Sequence, residues 1–224
     1  MQLPKIFVVV PVFNEVTVLD QTLSDLVAHN YNIILVDDGS TDDIDIIARK
    51  YPVFFLKHLL NIGQGAALQT GMDAARFLGA DIVVHFDADG QHDAMEICRI
   101  TDPLLKNRCD IVFGSRFLQN NSSQSIPFSK KIVLQAARYI NYLFYGILLS
   151  DAHNGFRALN RKAIQQISFT QNRMGHASEI LSLVKKNKLR YLEVPVTIRY
   201  SDYSRKKGQN IFNSINIFFD LITK

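Results

Sequence analysis

Long apolar runs are missing from this chain of 224 residues. A membrane-spanning helix needs about 18 or more consecutive apolar residues. The longest patches here, residues 6–13 and 142–149, fall far short of that, so no membrane crossing is expected. Cysteine is scarce too. Cys98 and Cys109 show no Cys-x-x-Cys spacing, and the reading is of reduced, structural thiols in a cytosolic protein. The opening Met-Gln-Leu-Pro-Lys has no basic segment leading into an apolar one, so a secretory signal is not expected. There is no internal repeat and no low-complexity segment. Aromatic RNA-binding motifs and a helix-turn-helix pattern are also missing, which argues against a nucleic-acid partner.

The length suits one α/β domain with a large core and a small appended region. A hydrophobic fraction of 47% with 21% charged residues is that of an ordinary globular chain, so disorder is not expected. Net charge is mild at +4, but Lys and Arg gather in the second half. A basic half suits an anionic membrane face or a phosphorylated substrate.

Charge of the other sign collects at strand ends. Ile82 to Phe86 is an apolar run of the kind buried on both faces of a sheet, and it stops at Asp87-Ala-Asp-Gly-Gln-His-Asp93. In open α/β sheets ligands bind beyond the carboxyl ends of the strands, which places Asp87 and Asp89 in that crevice. One residue apart, they can share a hard cation such as Mg²⁺ or Mn²⁺, whose shell is completed by phosphate oxygens and water. A surface turn is the alternative, since Asp and Gly both form turns. Two neighbouring segments repeat the pattern. Ile6 to Val10 ends in Pro11-Val-Phe-Asn-Glu15, and Ile33 to Val36 ends in Asp37-Asp-Gly-Ser-Thr-Asp42, where Ser40, Thr41 or Asp42 can cap a helix running to about Lys50. Three such loops on one sheet edge define a nucleotide site in a doubly wound fold.

After a third strand at 53–56, Asn61-Ile-Gly-Gln-Gly-Ala66 opens a helix, and Gly63 and Gly65 allow close backbone approach to an anionic ligand there. This is not the full Gly-x-Gly-x-x-Gly fingerprint, and it follows the third strand rather than the first, which speaks against a dinucleotide fold. A helix from Ala94 to about Lys106 and a strand from Asp110 to Phe113 follow, closed by Gly114-Ser-Arg-Phe117. In the second half, residues 127–149 read as a helical region with a broad apolar stripe. That stripe suits core packing or, less commonly, a membrane surface. Asp151 to Arg157 reads as a polar loop, with helices from about Arg161 and from His176 to about Asn187, and a strand over 189–200. A cationic loop at 204–209 precedes an amphipathic helix over 209–223.

Seven segments in register carry a resemblance: Pro-Val-Phe-Asn-Glu (11–15), Val-Asp-Asp-Gly-Ser-Thr-Asp (36–42), Asn-x-Gly-x-Gly-Ala (61–66), Asp-Ala-Asp-Gly-Gln-His (87–92), Gly-Ser-Arg-Phe (114–117), Asn-Gly-Phe-Arg (154–157) and Glu-Val-Pro-Val (193–196). Together they resemble family 2 glycosyltransferases, in the branch of dolichol-phosphate mannose synthase and bacterial polyprenyl-phosphate glycosyltransferases. The resemblance implies a GT-A fold, a Rossmann-like and mostly parallel α/β sheet flanked by helices, in a single domain. It divides residues 1–119 as the nucleotide-sugar half from 120–224 as the acceptor half. It also implies a UDP- or GDP-hexose donor, Mg²⁺ or Mn²⁺ as cofactor, and a polyprenyl phosphate acceptor. The nucleotide pocket would draw on Pro11, Asn14, Glu15, Asp38, Gly39, Gly63, Asp87 and Ala88, with Asp37 either there or structural. Asp87, Asp89 and Gln91 would form the metal and diphosphate set. Arg116 and Arg157, with Lys130 or Lys131, would engage the acceptor phosphate, and Arg205 and Lys207 would close over the donor diphosphate. Asp89, Arg116 and Arg157 are the expected catalytic residues.

Charge then sets the expected mechanism. Departure of a nucleoside diphosphate builds negative charge that a cation and basic side chains stabilise. A phosphate monoester, with its second pKa near about 6, is already ionised at neutral pH and needs no general base. One direct displacement inverts the sugar. A saccharide hydroxyl acceptor would need a carboxylate base instead, and Glu179 is the candidate in the acceptor half. His92, His176 and His153 read as loop-orienting groups or as lining of the acceptor mouth. Many relatives in this branch continue into transmembrane helices. This chain shows none, which suggests a peripheral enzyme on the inner face of the cytoplasmic membrane or one working with a small membrane protein. The 127–149 and 209–223 segments would face that membrane or partner.

Overall fold

Alternation along the first strand decides the layers. In β1 (Ile6–Val12), Val8, Val10 and Val12 point to one side of a sheet and Phe7 and Val9 to the other, and none is more than 5% exposed. A strand covered on both faces reads as an unbroken apolar run, as this one does. The computed structural model describes residues 3–118, 139, 142–143, 146–152 and 154–199. Flanking β1 are β2 (Asn32–Asp37) and β4 (Ile82–His85), both parallel to it, and β3 (Val53–Lys57) pairs in parallel with β2. The seven-stranded sheet runs β3-β2-β1-β4-β6-β5-β7. β5 (Ile111–Ser115) and β7 (Tyr191–Pro195) are parallel to each other, and β6 (Arg157–Asn160) lies antiparallel between β4 and β5.

Helices cover both faces. α1 (Val16–Ala28), α2 (Ile44–Ala48) and α4 (Ile97–Leu105) pack Leu19, Leu23, Leu26, Ile44, Ile97 and Ile100 against one side. α3 (Gln64–Phe77), α5 (Arg161–Gln166) and α6 (His176–Lys186) pack Leu68, Met72, Ile164, Ile180 and Val184 against the other. Emptying one such position, for instance Leu23→Ala at a fully buried site, costs about 2–5 kcal/mol. The expected mostly parallel α/β sheet with flanking helices is therefore what forms. The carboxyl ends of β2, β1 and β4 emerge side by side, and the reversed β6 brings Arg157 to the same edge opposite His85.

Far from that edge, buried Asp110 ties the second half together. It accepts from the Arg190 backbone N–H at 2.9 Å and the Arg190 guanidinium at 3.1 Å, and Lys162 lies 3.3 Å away. Burial works against its charge, but the Arg190, Asn160 and Lys162 hydrogen bonds prevail and hold the carboxyl well below the usual range.

Several local expectations change. Residues 157–160 are a strand, where the sequence reads a polar loop up to Arg157 and no element before Arg161; four residues with an Arg at one end and an Asn at the other carry no periodicity, and pairing on both sides makes the strand. The 127–149 helical region falls mostly outside the described residues, but its last residues are not helical. Gly146 has a φ of 62°, a left-handed conformation that ends a helix, and after it Ile147 and Leu149 turn into the core while Leu148 is partly exposed. At α2 the N-cap is Asp43 and makes no side-chain cap; Ser40 and Asp42 instead accept from the backbone N–H groups of Asn14 and Val16. β7 is shorter than the 189–200 strand expected.

Candidate active site

Pro11 lies in buried β1, in register with Val36, and the loop after it is stitched to the loop after β2. Asn14 has a φ of 54°, a left-handed conformation that Asn tolerates. Its Oδ1 accepts from the Thr41 N–H at 2.9 Å, and its own N–H donates to Ser40 Oγ at 3.0 Å. Glu15 heads α1, its carbonyl accepting from the N–H groups of Val18 and Leu19. Its partly exposed side chain stands close enough to act on the charge of Asp89.

At the end of β2 the structure gives Asp38 a different task from the base recognition expected of it. Its side chain is 3% exposed, and its carboxylate accepts from His58 Nδ1 at 2.7 Å, the Ile62 N–H at 3.1 Å, Asn61 Nδ2 at 2.8 Å and the Gly63 N–H at 2.7 Å. A carboxylate offers about four lone-pair sites, and all four are used. Asp38 therefore shapes the loop between β3 and α3. Asp37 is structural as well: fully buried, it accepts from the Ser40 N–H at 2.9 Å and lies 3.3 Å from Lys57 Nζ. Between these loops Gly39 has a φ of +72°, and a Cβ there would come 2.5 Å from the Leu60 carbonyl carbon.

Gly63 and Gly65 do leave room for a close approach, but the group that approaches is protein backbone. A Cβ on Gly63 would sit 2.4 Å from the Asn172 oxygen, and one on Gly65 2.1 Å from the Gln171 oxygen. Two N–H groups at the start of α3 are taken up by protein, Gly63 by Asp38 and Ala66 by the Asn172 oxygen. The two glycines thus seat α3 against residues 171 and 172.

The end of β4 is arranged otherwise. The Asp87 side chain is 28% exposed, with Gln64 Nε2 donating to Oδ1 at 2.9 Å and His92 Nε2 lying 3.3 Å from Oδ2. Burial would raise its pKa, but the His92 contact and the charges of His92, His176 and Arg157 outweigh that and hold the carboxyl below the usual range. Ala88 is buried, its carbonyl accepting from Thr22 Oγ1 at 3.3 Å. Among the described residues Asp89 is bound locally, by the Gln91 N–H at 3.0 Å and Gln91 Nε2 at 2.8 Å. Burial and the neighbouring charge of Asp87 push its carboxyl up. A cleft of about 230 Å³ between α1 and this loop is lined by Gln21, Thr22, Asp89, Gly90, His92 and Arg199. Among the described residues, no group of three or more His, Cys, Asp or Glu side chains is placed to hold a metal. Any ion here would rest on this Asp pair and on ligands from a substrate or solvent.

The two expected acceptor arginines occupy unlike positions. Arg157 is 1% exposed, donates through Nε to the Asn154 oxygen at 3.0 Å, and has a buried Nη1 with no hydrogen-bond partner among the described residues. Burial lowers its pKa to about 10, with Asp87 and Asp151 pulling the other way. It therefore stands buried behind the β4 carboxylates. Arg116 lies nearer the surface, its side chain 31% exposed and gripped by Asp151 at 2.6 and 2.8 Å. Asp151 is placed in turn by Glu193, which accepts from the Ser150 and Asp151 N–H groups. Asp151 opens the polar loop and Glu193 the Glu-Val-Pro-Val segment, and nothing in the sequence signals that the fold brings both to Arg116.

Glu179 is committed to the residues before α6, accepting from the Thr170 and Gln171 N–H groups at 3.0 Å. His176 is buried against Phe169, and burial lowers its pKa. Lys130, Lys131, His153, Arg205 and Lys207 lie outside the described residues, as do the 209–223 segment and most of 127–149. Among the described residues no helix is long and apolar enough to cross a membrane.

The sheet edge with its two β4 aspartates belongs to an α/β transferase fold, and comparison with known proteins gives the family. The profile described as glycosyl transferase family 2 matches residues 7–168. The chain belongs to glycosyl transferase family 2 and is a glycosyltransferase. It is 37% identical over 221 residues to an uncharacterised protein of Methanocaldococcus jannaschii, covering 97% of this chain and 91% of that one. It is 33% identical over 237 residues to UDP-N-acetylglucosamine–dolichyl-phosphate N-acetylglucosaminyltransferase of Methanococcus voltae, covering 97% of this chain and 94% of that one. Among solved structures, glucosyl-3-phosphoglycerate synthase of Mycobacterium tuberculosis, crystallised with Mn²⁺ and UDP, superposes with a TM-score of 0.65 at 19% identity. That match covers 91% of this chain and 75% of the other, and the shared fold is GT-A. The resemblance read from the seven motifs is thus borne out at the level of family and branch.

Proposed function

We propose that the protein transfers a hexose from a nucleotide diphosphate sugar to the phosphate of a polyprenyl lipid, with inversion and with a divalent cation at Asp87 and Asp89. The observation that carries this reading is the similarity, over 97% of the chain, to a dolichyl-phosphate N-acetylglucosaminyltransferase. That relative makes a UDP-linked N-acetylhexosamine the first donor to test. The donor set at the end of β4 supports the cation. Its oxygens are hard, and two adjacent carboxylates that repel each other suit Mg²⁺ or Mn²⁺ sharing a diphosphate. Such an ion, when bound, supplies positive charge to the departing diphosphate.

The chain's own groups divide the remaining work. With Asp38 saturated, recognition of the nucleoside falls to Asn14, Glu15 and the backbone around Pro11, Gly39, Gly63 and Ala88. Gln91 steadies Asp89. Arg116, held in line by Asp151, would orient the acceptor phosphate together with Lys130 and Lys131, since a guanidinium fixes orientation as well as binding. Arg157 contributes positive potential from beneath. Arg205 and Lys207 would close on the donor diphosphate. In this reading residues 1–119 handle the donor and 120–224 chiefly the acceptor. The enzyme works at the cytoplasmic face of the membrane, peripherally or beside a small membrane protein, because its acceptor resides there. Transfer to a saccharide hydroxyl is the weaker reading, because Glu179, the acceptor-half carboxylate suited to act as base, is occupied with Thr170 and Gln171.

The test incubates purified protein with radiolabelled UDP-N-acetylglucosamine and with other UDP and GDP sugars, dolichyl or undecaprenyl phosphate, and Mn²⁺ or Mg²⁺. Label should enter the organic phase, and EDTA should abolish it. Label appearing only on added saccharide acceptors would overturn the lipid-phosphate reading, and turnover unaffected by EDTA would remove the metal.

A further inference from the structure

The segment Asn61-Ile-Gly-Gln-Gly-Ala66 does not cradle a ligand with its glycines, yet it places one side chain at the site. We infer that Gln64 is a positioning residue for the Asp87 carboxylate, working as one jaw of a clamp whose other jaw is His92. The inference rests on the metal reading above and gives that site a supporting shell. Gln64 Nε2 donates to Asp87 Oδ1 at 2.9 Å, and His92 Nε2 meets Oδ2 at 3.3 Å. The jaws come from different elements, the first residue of α3 and the loop after β4.

Each jaw is itself fixed. The glycines on either side of Gln64 let the start of α3 press against backbone oxygens of residues 171 and 172, where a side chain at 63 or 65 would collide at 2.4 or 2.1 Å. The Ala66 N–H bonds to the Asn172 oxygen at 3.1 Å and locks the contact. His92 is 4% exposed at its side chain and stacks on Phe156, centroids 4.8 Å apart at 23°, with Phe86 edge-on at 5.4 Å. Gly155 closes the back: a Cβ there would stand 2.3 Å from Asp87 Oδ2. Asp87 is thus held on three sides while each oxygen keeps a lone pair for a cation. Outer hydrogen bonds of this kind orient ligating carboxylates, and losing one weakens metal affinity about 10- to 100-fold.

Gln64→Asn keeps the amide but is one methylene too short to span to Asp87, and Gln64→Leu keeps the bulk without the donor. Free Mn²⁺ is titrated by electron paramagnetic resonance against wild type and both variants, with thermal melting as the check on folding. Both variants should melt near wild type and bind Mn²⁺ about tenfold or more weakly. In turnover assays the Mn²⁺ needed for half-maximal rate should rise, while the rate at saturating Mn²⁺ returns to within a few-fold of wild type. A purely structural role for Gln64 would lower the melting temperature and leave Mn²⁺ affinity of the folded protein unchanged, which overturns the inference. Should Gln64→Leu not fold, Gln64→Asn alone decides. Wild-type protein that binds no Mn²⁺ would sink the metal reading itself, whereas tight wild-type binding matched by both variants would sink only the clamp.

Discussion

Two strand ends on the same sheet edge carry the same sequence signature, an apolar run closed by paired aspartates and a glycine, and they do different work. After β2, the Asp38 side chain is 3% exposed and surrounded by four donors, all of them from the loop that follows β3. After β4, the Asp87 side chain is 28% exposed, and among the described residues Asp89 is hydrogen-bonded by Gln91 alone, with the Asp87 charge raising its cost of ionisation. The difference is the supply of donors. Where backbone N–H groups converge on a carboxylate it becomes a structural node; where they do not, the charge is left for something that arrives from outside.

The sharpest way to break the comparison is at Asp38. Asp38→Ala strips the acceptor from the buried Gly63 N–H and from His58 and Asn61 at once, and breaking a buried charged node of this kind costs roughly 3–5 kcal/mol. Urea unfolding should show that loss as a lower midpoint. A variant as stable as wild type with weakened nucleotide binding would return Asp38 to the ligand and erase the contrast.

Asp87→Asn and Asp89→Asn should behave in the opposite sense. Removing one preorganised charge from a site that stabilises a leaving group costs on the order of 10²–10³ in turnover. For Asp89→Asn stability should stay within about 0.5 kcal/mol of wild type, because that carboxylate is bonded within its own loop. Asp87→Asn should also lose on the order of 1–3 kcal/mol, because Asp87 holds Gln64 of α3 and faces the charge of buried Arg157. For Asp89→Asn a small gain is expected: burial and the Asp87 charge push that carboxyl up, so its ionised form destabilises the fold, and the neutral amide relieves the repulsion. Sugar transfer by purified variants, alongside their urea midpoints, checks both halves of the statement.

How far this contrast was legible beforehand depends on the residue. The strands β1, β2 and β4 announce themselves as apolar runs, and the edge they share follows from the parallel topology such runs imply. That Asp38 is saturated was not readable, because its donors come from residues 58–63, and only the fold shows where that loop returns. Gly63 and Gly65 were read as facing a ligand for the same reason: glycine reports that something comes close, not what. Arg157 was assigned to the acceptor from its motif, yet its strand β6 is defined by partners on both sides, and pairing with β4 buries it opposite His85. The sequence pattern thus located the edge and its charges, while the roles depended on long-range hydrogen bonds.

A smaller effect would sharpen the comparison by carrying it two residues down β4. His85 is 1% exposed, and among the described residues neither ring nitrogen has a hydrogen-bond partner. Burial, reinforced by the positive charges of Arg157 and His176, lowers its pKa to about 3. An unfolded histidine titrates near about 6.5, so between those values the unfolded chain holds a proton that the folded one refuses. Stability must then fall as pH drops from about 6.5 toward 3, and at pH 5 the loss attributable to this one group is about 2 kcal/mol. His85→Leu, which fills a similar volume without polar atoms, should be neutral or slightly stabilising at pH 7. It should outlast wild type by about 2 kcal/mol more at pH 5 than at pH 7 in urea unfolding. Equal pH slopes for the two proteins would mean that buried water satisfies the imidazole, and that the uncompensated charge at this edge belongs to the β4 carboxylates alone.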